Sequence, residues 1–159
     1  MRIGSQYLGD GKCDFIVWAP LLKSIKLRIV YPDERIIHMS KDGQGYWRTV
    51  IGGIHPGALY FYQLDNAYLR PDPASNYQPE GVHGPSQVVD HVASHWTDKE
   101  WQGIALEEMI IYELHVGTFT PEGTFDGLIT KLGEIRDLGI NTIEIMPVAQ
   151  FPGGRNTPL

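Results

Sequence analysis

The sequence predicts a small antiparallel β-sandwich followed by the beginning of an α/β domain. From Cys13 to Leu64, short runs rich in β-branched and aromatic residues alternate with turn signals. From Met109 onward, a nearly continuous apolar run is followed by a helical stripe and a second apolar run. Between the two lies a stretch dense in proline and glycine. Short strands of period two without a helical stripe are the pattern of a sandwich. Strand, helix and strand joined by short loops make a βαβ unit, whose two strands run parallel.

Taken in order, CDFIVWAP closes at Pro20, and KSIKLRIVYPD alternates Ile25, Leu27 and Ile29 with Lys26 and Arg28 before the turn at Pro32 and Asp33. RIIHMSKDG closes at Asp42 and Gly43, GYWRTVIGG ends in a double glycine, and LYFYQLDN alternates again. One face of each strand should supply the core, with Phe15, Val17, Ile25, Leu27, Ile29 and Phe61 as expected members. Pro71, Pro73, Pro79 and Pro85 with Gly81 and Gly84 then leave no room for a regular element. Irregular stretches longer than about 12–15 residues are uncommon unless they are functional or linking. The embedded aromatic and charged residues point to an ordered arm packed across a boundary. MIIYELHV reads as a strand covered on both faces. TFDGLITKLGEIRDLG places Phe125, Leu128, Ile129, Leu132, Ile135 and Leu138 on one helical face. Thr124 is the expected cap of that helix and Gly139 its stop, and INTIEIMPV is a second strand ending at Pro147. The expected division is 1–68 for the β-sandwich, 69–108 for the proline-rich arm and 109–159 for the α/β segment. Two parallel strands and one helix cannot cover both faces of a sheet. The α/β part is therefore expected to be incomplete, with an apolar edge that invites self-association.

The 159 residues carry 13 Lys and Arg against 19 Asp and Glu, a net charge of −6. That balance argues against a protein that coats nucleic acid, which would show a basic face. No stretch approaches the roughly 20 apolar residues of a membrane span, and MRIGSQYLGDGK lacks the apolar centre of a signal peptide. The expectation is a cytoplasmic protein with no membrane partner. Cys13, a single thiol, can make no internal bridge and reads as a small buried hydrophobe in a strand.

Glu113 and Glu144, one on each predicted parallel strand, form a carboxylate pair. Neighbouring strands lie about 4.8 Å apart, which allows the roughly 5–5.5 Å separation of a retaining glycosidase. The same residues serve equally as polar positions at a strand flank, and His115 shares the parity of Glu113. His91 and His95, beside Asp90 and Asp98, would share a face only in a helix, which Val88, Val89 and Val92 disfavour. Without a third and fourth ligand no metal is expected. Trp18, Tyr46, Trp47, Tyr60 and Tyr62 lie on the β segment, where sugar rings could stack on those not taken into the core. With no GxSxG, Walker loop or GxGxxG, no cofactor is implied.

PDPASNYQPEGVHGPS at 71–86, IIYELHVGTFTPEGTFDGLITKL at 110–132 and LGINTIEIMPVAQFPGGRN at 138–156 closely resemble the malto-oligosyltrehalose trehalohydrolases, a family of α-amylase-type glycoside hydrolases. Branching and debranching enzymes share the YExHxG strand, and PEGVHGPS together with YELHVGTFTPEGTF sets this family apart. The resemblance implies an immunoglobulin-like N-terminal sandwich and, after the arm, the first strand, helix and strand of a (β/α)8 catalytic barrel. It implies hydrolysis of the α-1,4 bond that joins trehalose to the rest of a maltooligosyl trehalose. The family's Asp nucleophile, Glu acid/base and stabilising Asp lie on middle strands of the barrel, so no catalytic residue is carried over to this sequence. Weak candidates for contact with an α-glucan or maltooligosyl trehalose are Trp18, Trp47, His115 and Gln150. Where the family continues RNWGYDG this chain reads RNTPL. The sugar-stacking Tyr is thus missing, and Thr157, Pro158 and Leu159 look like an unrelated tail. The alternatives are a β-sandwich that binds α-glucan by itself, or a piece that docks a separately encoded barrel.

Overall fold

The computed structural model describes residues 2–92 and 96–149, and the chain divides into two units with the boundary before Trp96. The first unit contains β1 (Gly4–Gly9), β2 (Lys12–Trp18), β3 (Ile25–Tyr31), β4 (Arg35–His38), β5 (Ser40–Lys41), β6 (Tyr46–Gly52), β7 (Leu59–Leu64), β8 (Tyr68–Arg70) and β9 (Ser86–Gln87). One sheet runs β1-β2-β6-β5 and the other β4-β3-β7-β8, with β9 also on β7. Period-two alternation gives each sheet one apolar face. Cys13, Phe15 and Val17 of β2 and Trp47 of β6 meet Ile25, Leu27 and Ile29 of β3 and Tyr60 and Tyr62 of β7 in one buried cluster. The two antiparallel sheets therefore share a single core in a sandwich-like arrangement. Phe15 and Tyr60 meet edge to face within it, their ring centroids 4.9 Å apart at 76°.

Two expectations are corrected here. Phe61 is only partly buried. Its neighbours Tyr60 and Tyr62 take the inward positions of β7 because their hydroxyls find a partner in the core, donating to Oδ2 of Asp72 at 2.7 and 3.2 Å. Without that partner, a tyrosine hydroxyl would be costly to bury. The proline-rich stretch is also not wholly irregular. Ser86 pairs with Tyr60 and Gln87 with Leu59, so β7 supplies backbone partners that the local sequence does not announce. Cys13 is fully buried, and burial pushes its thiol up to about 12. It is no nucleophile in the folded state.

The second unit contains β10 (Ile111–Leu114), the short α1 (Val116–Phe119), α2 (Phe125–Asp137) and β11 (Thr142–Ile145). β10 and β11 pair in parallel, with Tyr112 opposite Ile143 and Glu113 opposite Glu144. Thr124 caps α2, its Oγ1 accepting from Gly127 N at 3.1 Å. Gly139 follows the helix at φ +89°, a conformation that favours glycine, and donates to Arg136 O at 2.8 Å. The core is small: Leu114, Val116, Leu128 and Ile135, with Phe119, Ile140 and Ile143 against it. Of the expected apolar helix face, Phe125, Ile129, Leu132 and Leu138 are exposed. Ile110, Ile111 and Tyr112 are exposed too, so β10 is not covered on both faces among the described residues.

Candidate functional site

Partners in a parallel ladder project to the same side, so Glu113 and Glu144 stand next to each other on one face of the β10–β11 pair. Both are exposed, and no described residue hydrogen-bonds or ion-pairs with either. A catalytic carboxylic acid is usually held protonated by an apolar, desolvated pocket, and the described residues form none around this pair. His115 lies one residue beyond β10 as the N-cap of α1, also exposed. Its backbone carbonyl accepts from the amides of Thr118 and Phe119 at 3.1 and 3.0 Å. It therefore organises the turn through its main chain. Among the described residues, no group of three or more His, Cys, Asp or Glu side chains could hold a metal ion, and no helix is long and apolar enough to cross a membrane. His95 and Gln150, together with the tail from Phe151 onward, lie outside the described residues.

The aromatic candidates separate sharply. Trp47 is 5% exposed and points into the core. Its indole Nε1 donates to Ala19 O at 3.0 Å, and the Lys41 ammonium sits 5.3 Å from its ring centre. It offers no surface for a ligand. Tyr60 and Tyr62 are likewise core residues, and burial together with the Asp72 carboxylate pushes both hydroxyls up, keeping them protonated donors. Trp18, by contrast, is 57% exposed, although it sits in the same strand as Phe15 and Val17. It is the last residue of β2 and has the outward parity, opposite Tyr46. Gly45, at φ +88°, lets the following turn press against Pro20, where an added Cβ would come within 2.6 Å of Pro20 Cβ. This closeness brings Gln44 O to 3.2 Å from Trp18 Nε1, so the exposed indole is hydrogen-bonded at its N–H.

Asp72 is the one functional-looking group that sequence reasoning missed. Only 3% exposed, it accepts from Tyr60 and Tyr62 through Oδ2 and from Ala74 N through Oδ1 at 2.8 Å, while its own amide donates to Ser86 Oγ at 2.9 Å. Burial pushes its carboxyl above the usual range, and the hydrogen bonds from Tyr60, Ala74 and Tyr62 pull it part of the way back. With both oxygens occupied it ties the arm to the sandwich. The signal in the sequence was Pro71-Asp72-Pro73, an acid held between two residues that cannot continue a ladder.

A malto-oligosyltrehalose trehalohydrolase of Saccharolobus solfataricus is 44% identical over 156 residues, which is 98% of this chain and 27% of that protein. The chain belongs to the malto-oligosyltrehalose trehalohydrolase family. It matches an N-terminal portion and spans about a quarter of the length of its curated relatives. A solved structure assigned as an alpha amylase from Salmonella typhimurium superposes with a TM-score of 0.86 at 38% identity, covering 96% of this chain and 26% of that one. A pullulanase from an Anoxybacillus species, solved in complex with maltotetraose, superposes with a TM-score of 0.75 at 25% identity, covering 95% and 26%. No family model matches the chain.

Proposed function

We propose that this chain forms the N-terminal part of a cytoplasmic glycoside hydrolase that cleaves the α-1,4 bond next to the trehalose end of a maltooligosyl trehalose and so releases trehalose. The observation that carries this reading is the 44% identity to a trehalohydrolase over 98% of the chain. In this reading residues 1–68 are an immunoglobulin-like auxiliary domain and residues 69–108 a connecting arm. Residues 109–159 begin a (β/α)8 barrel, and the catalytic carboxylates belong to later strands. Hydrolysis of a glycoside needs one carboxylic acid kept protonated and a second placed as nucleophile or base around a bound sugar, and no such pair is assigned to Glu113 and Glu144 in this reading. The chain alone is expected to be inactive.

A chimera tests it. Residues 1–149 of this chain replace the matching portion of the Saccharolobus solfataricus enzyme, and release of trehalose from maltotriosyl trehalose is followed. The chimera is expected to release trehalose while the isolated chain does not. Turnover by the isolated chain that is abolished in Glu113→Gln or Glu144→Gln would overturn the assignment of catalysis to later strands. A folded chimera that releases no trehalose would overturn the family's reaction for this chain. A second role, binding of α-glucan by the β-sheet unit, is favoured by the exposed Trp18, whose indole N–H donates to Gln44 O.

A further inference from the structure

Residues 71–85 run from the end of β8 to the start of β9, and both of those strands pair with β7. The stretch is therefore a strap tied at its two ends to the same strand. Asp72 N donates to Ser86 Oγ at 2.9 Å and closes its base. Between its ends the strap has little apolar hold on the sheets. Of residues 71–84, Asp72 alone is buried, so the grip on the sandwich passes through one carboxyl and not through a hydrophobic plug. An apolar anchor would be indifferent to pH, whereas an ionisable one is not.

The surroundings of that carboxyl set the direction. Its donors are Tyr60 and Tyr62 of β7 and the Ala74 amide, and all three are neutral. Ser86 of β9, Ser5 of β1 and Cys13 of β2 stand around the same cluster. Burial pushes the two phenols and the thiol up, so they stay neutral from acid to neutral pH. Arg70, the charged residue at the end of β8, donates to Leu69 O at 2.9 Å, lies over Tyr68 and makes no ion pair among the described residues. A buried carboxylate without a cation is disfavoured against its protonated form. Burial raises the Asp72 carboxyl, and the donations from Tyr60, Ala74 and Tyr62 offset only part of that. In an opened strap the same group lies in water at its ordinary value. The closed strap therefore keeps its proton to a higher pH than the open one, and opening becomes easier as pH rises through the closed-state value.

We infer that residues 71–85 are a pH-sensitive strap, latched through Asp72, that opens locally as the medium becomes less acidic and so removes one wall of the cleft beside Trp18. That cleft has a volume of about 510 Å³, with Val17, Ile25 and Tyr62 of the sheets on one side and Pro73, Gln78 and Val82 of the strap on the other. The strap can lift as a unit because its internal bonds do not depend on the sheets. Gln78 Nε2 donates to Val82 O at 3.0 Å and to Gly84 O at 3.4 Å.

Hydrogen exchange of the full chain tests this, read amide by amide from about pH 4, near the ordinary value of an aspartate, to about pH 7 and divided by the intrinsic rate at each pH. Ala74 N donates to Asp72 Oδ1 and Gln87 N to Tyr77 O at 2.9 Å, so these two amides report the strap. The amides of β3, which lies between β4 and β7, report unfolding of the whole unit. Ala74 and Gln87 are expected to be less protected than β3 at every pH, and to lose protection as pH rises, in total by the ratio of the open-state to the closed-state acid constant. Asp72→Asn should remove that pH dependence. Tyr62→Phe keeps the acid but deletes a donor that favours its charged form, so the pH at which the loss levels off should move upward. Strap amides as well protected as β3, strap protection that is constant with pH in the wild type, a pH dependence that survives in Asp72→Asn, or an unmoved profile in Tyr62→Phe would each overturn the latch.

Discussion

Asp72 shows how one residue ties the proline-rich arm to the sheets. A carboxylate buried to 3% exposure is tolerated because three groups donate to it, and those donors need it in return. Asp72→Ala leaves two buried tyrosine hydroxyls unsatisfied, so it should destabilise the first unit by about 2 to 4 kcal/mol, read as a lowered urea midpoint. The pH dependence has a definite sign. The folded carboxyl titrates above its unfolded value, so between those two values the folded state holds more protons. Stability therefore falls as pH rises through that window. The advantage of the wild type over Asp72→Asn should be largest on the acid side of the ordinary carboxylate value and shrink as pH passes the raised one. A constant difference between the two urea midpoints across that window would contradict the assignment. The Pro71-Asp72-Pro73 signal in the sequence does not reveal these contacts, because Tyr60, Tyr62 and Ser86 lie 10 to 14 positions away along the chain.

At the scale of elements, legibility depends on whether the determinants are local. Helix α2 was readable at both ends. Thr124 and Gly139 act on amides and carbonyls within four residues of themselves, so their role is written in the adjacent sequence. Thr124→Ala should cost about 1 kcal/mol and speed hydrogen exchange at the Gly127 amide in particular, while Thr124→Asp should restore protection by supplying another acceptor next to the helix N-terminus. Equal exchange at Gly127 in wild type and Thr124→Ala would rule out the cap. Strand β7 was readable as a strand but not in its facing. Tyr60, Phe61 and Tyr62 are all apolar enough for a core, and the pattern of period two fits either parity. What turned the tyrosines inward was a hydroxyl acceptor delivered from the arm. The same division separates the two tryptophans. Trp18 and Trp47 both occupy strands, and only their strand parity relative to the other sheet sends one out and one in.

At the scale of the whole molecule, the two units differ in how well they cover their apolar surface. The first unites two sheets over one core, while the second, among the described residues, buries four apolar side chains and leaves Phe125, Ile129, Leu132, Ile145 and Val148 exposed. A parallel pair with an uncovered face and edge is prone to association. The isolated chain is accordingly expected to self-associate as its concentration rises, by light scattering after size exclusion. Amides of residues 109–149 should exchange faster than those of β2, β3 and β7, because few buried contacts oppose local opening. A monodisperse monomer with slow exchange throughout 109–149 would contradict this.

The sequence by itself determined where β2, β3, β4, β6, β7, β10 and β11 and the long helix lie, where α2 begins and ends, that β10 and β11 run parallel, and which family the chain resembles. These follow from periodicity, capping and motif spacing, which act over a few residues. Only the tertiary structure decided that Tyr60 and Tyr62 are core, that Trp47 is buried and Trp18 presented, and that Ser86 and Gln87 join a sheet. Each of these depends on which polar group meets which side chain across a long separation in sequence, and on hydrogen bonds that exist only once the two sheets and the arm have come together.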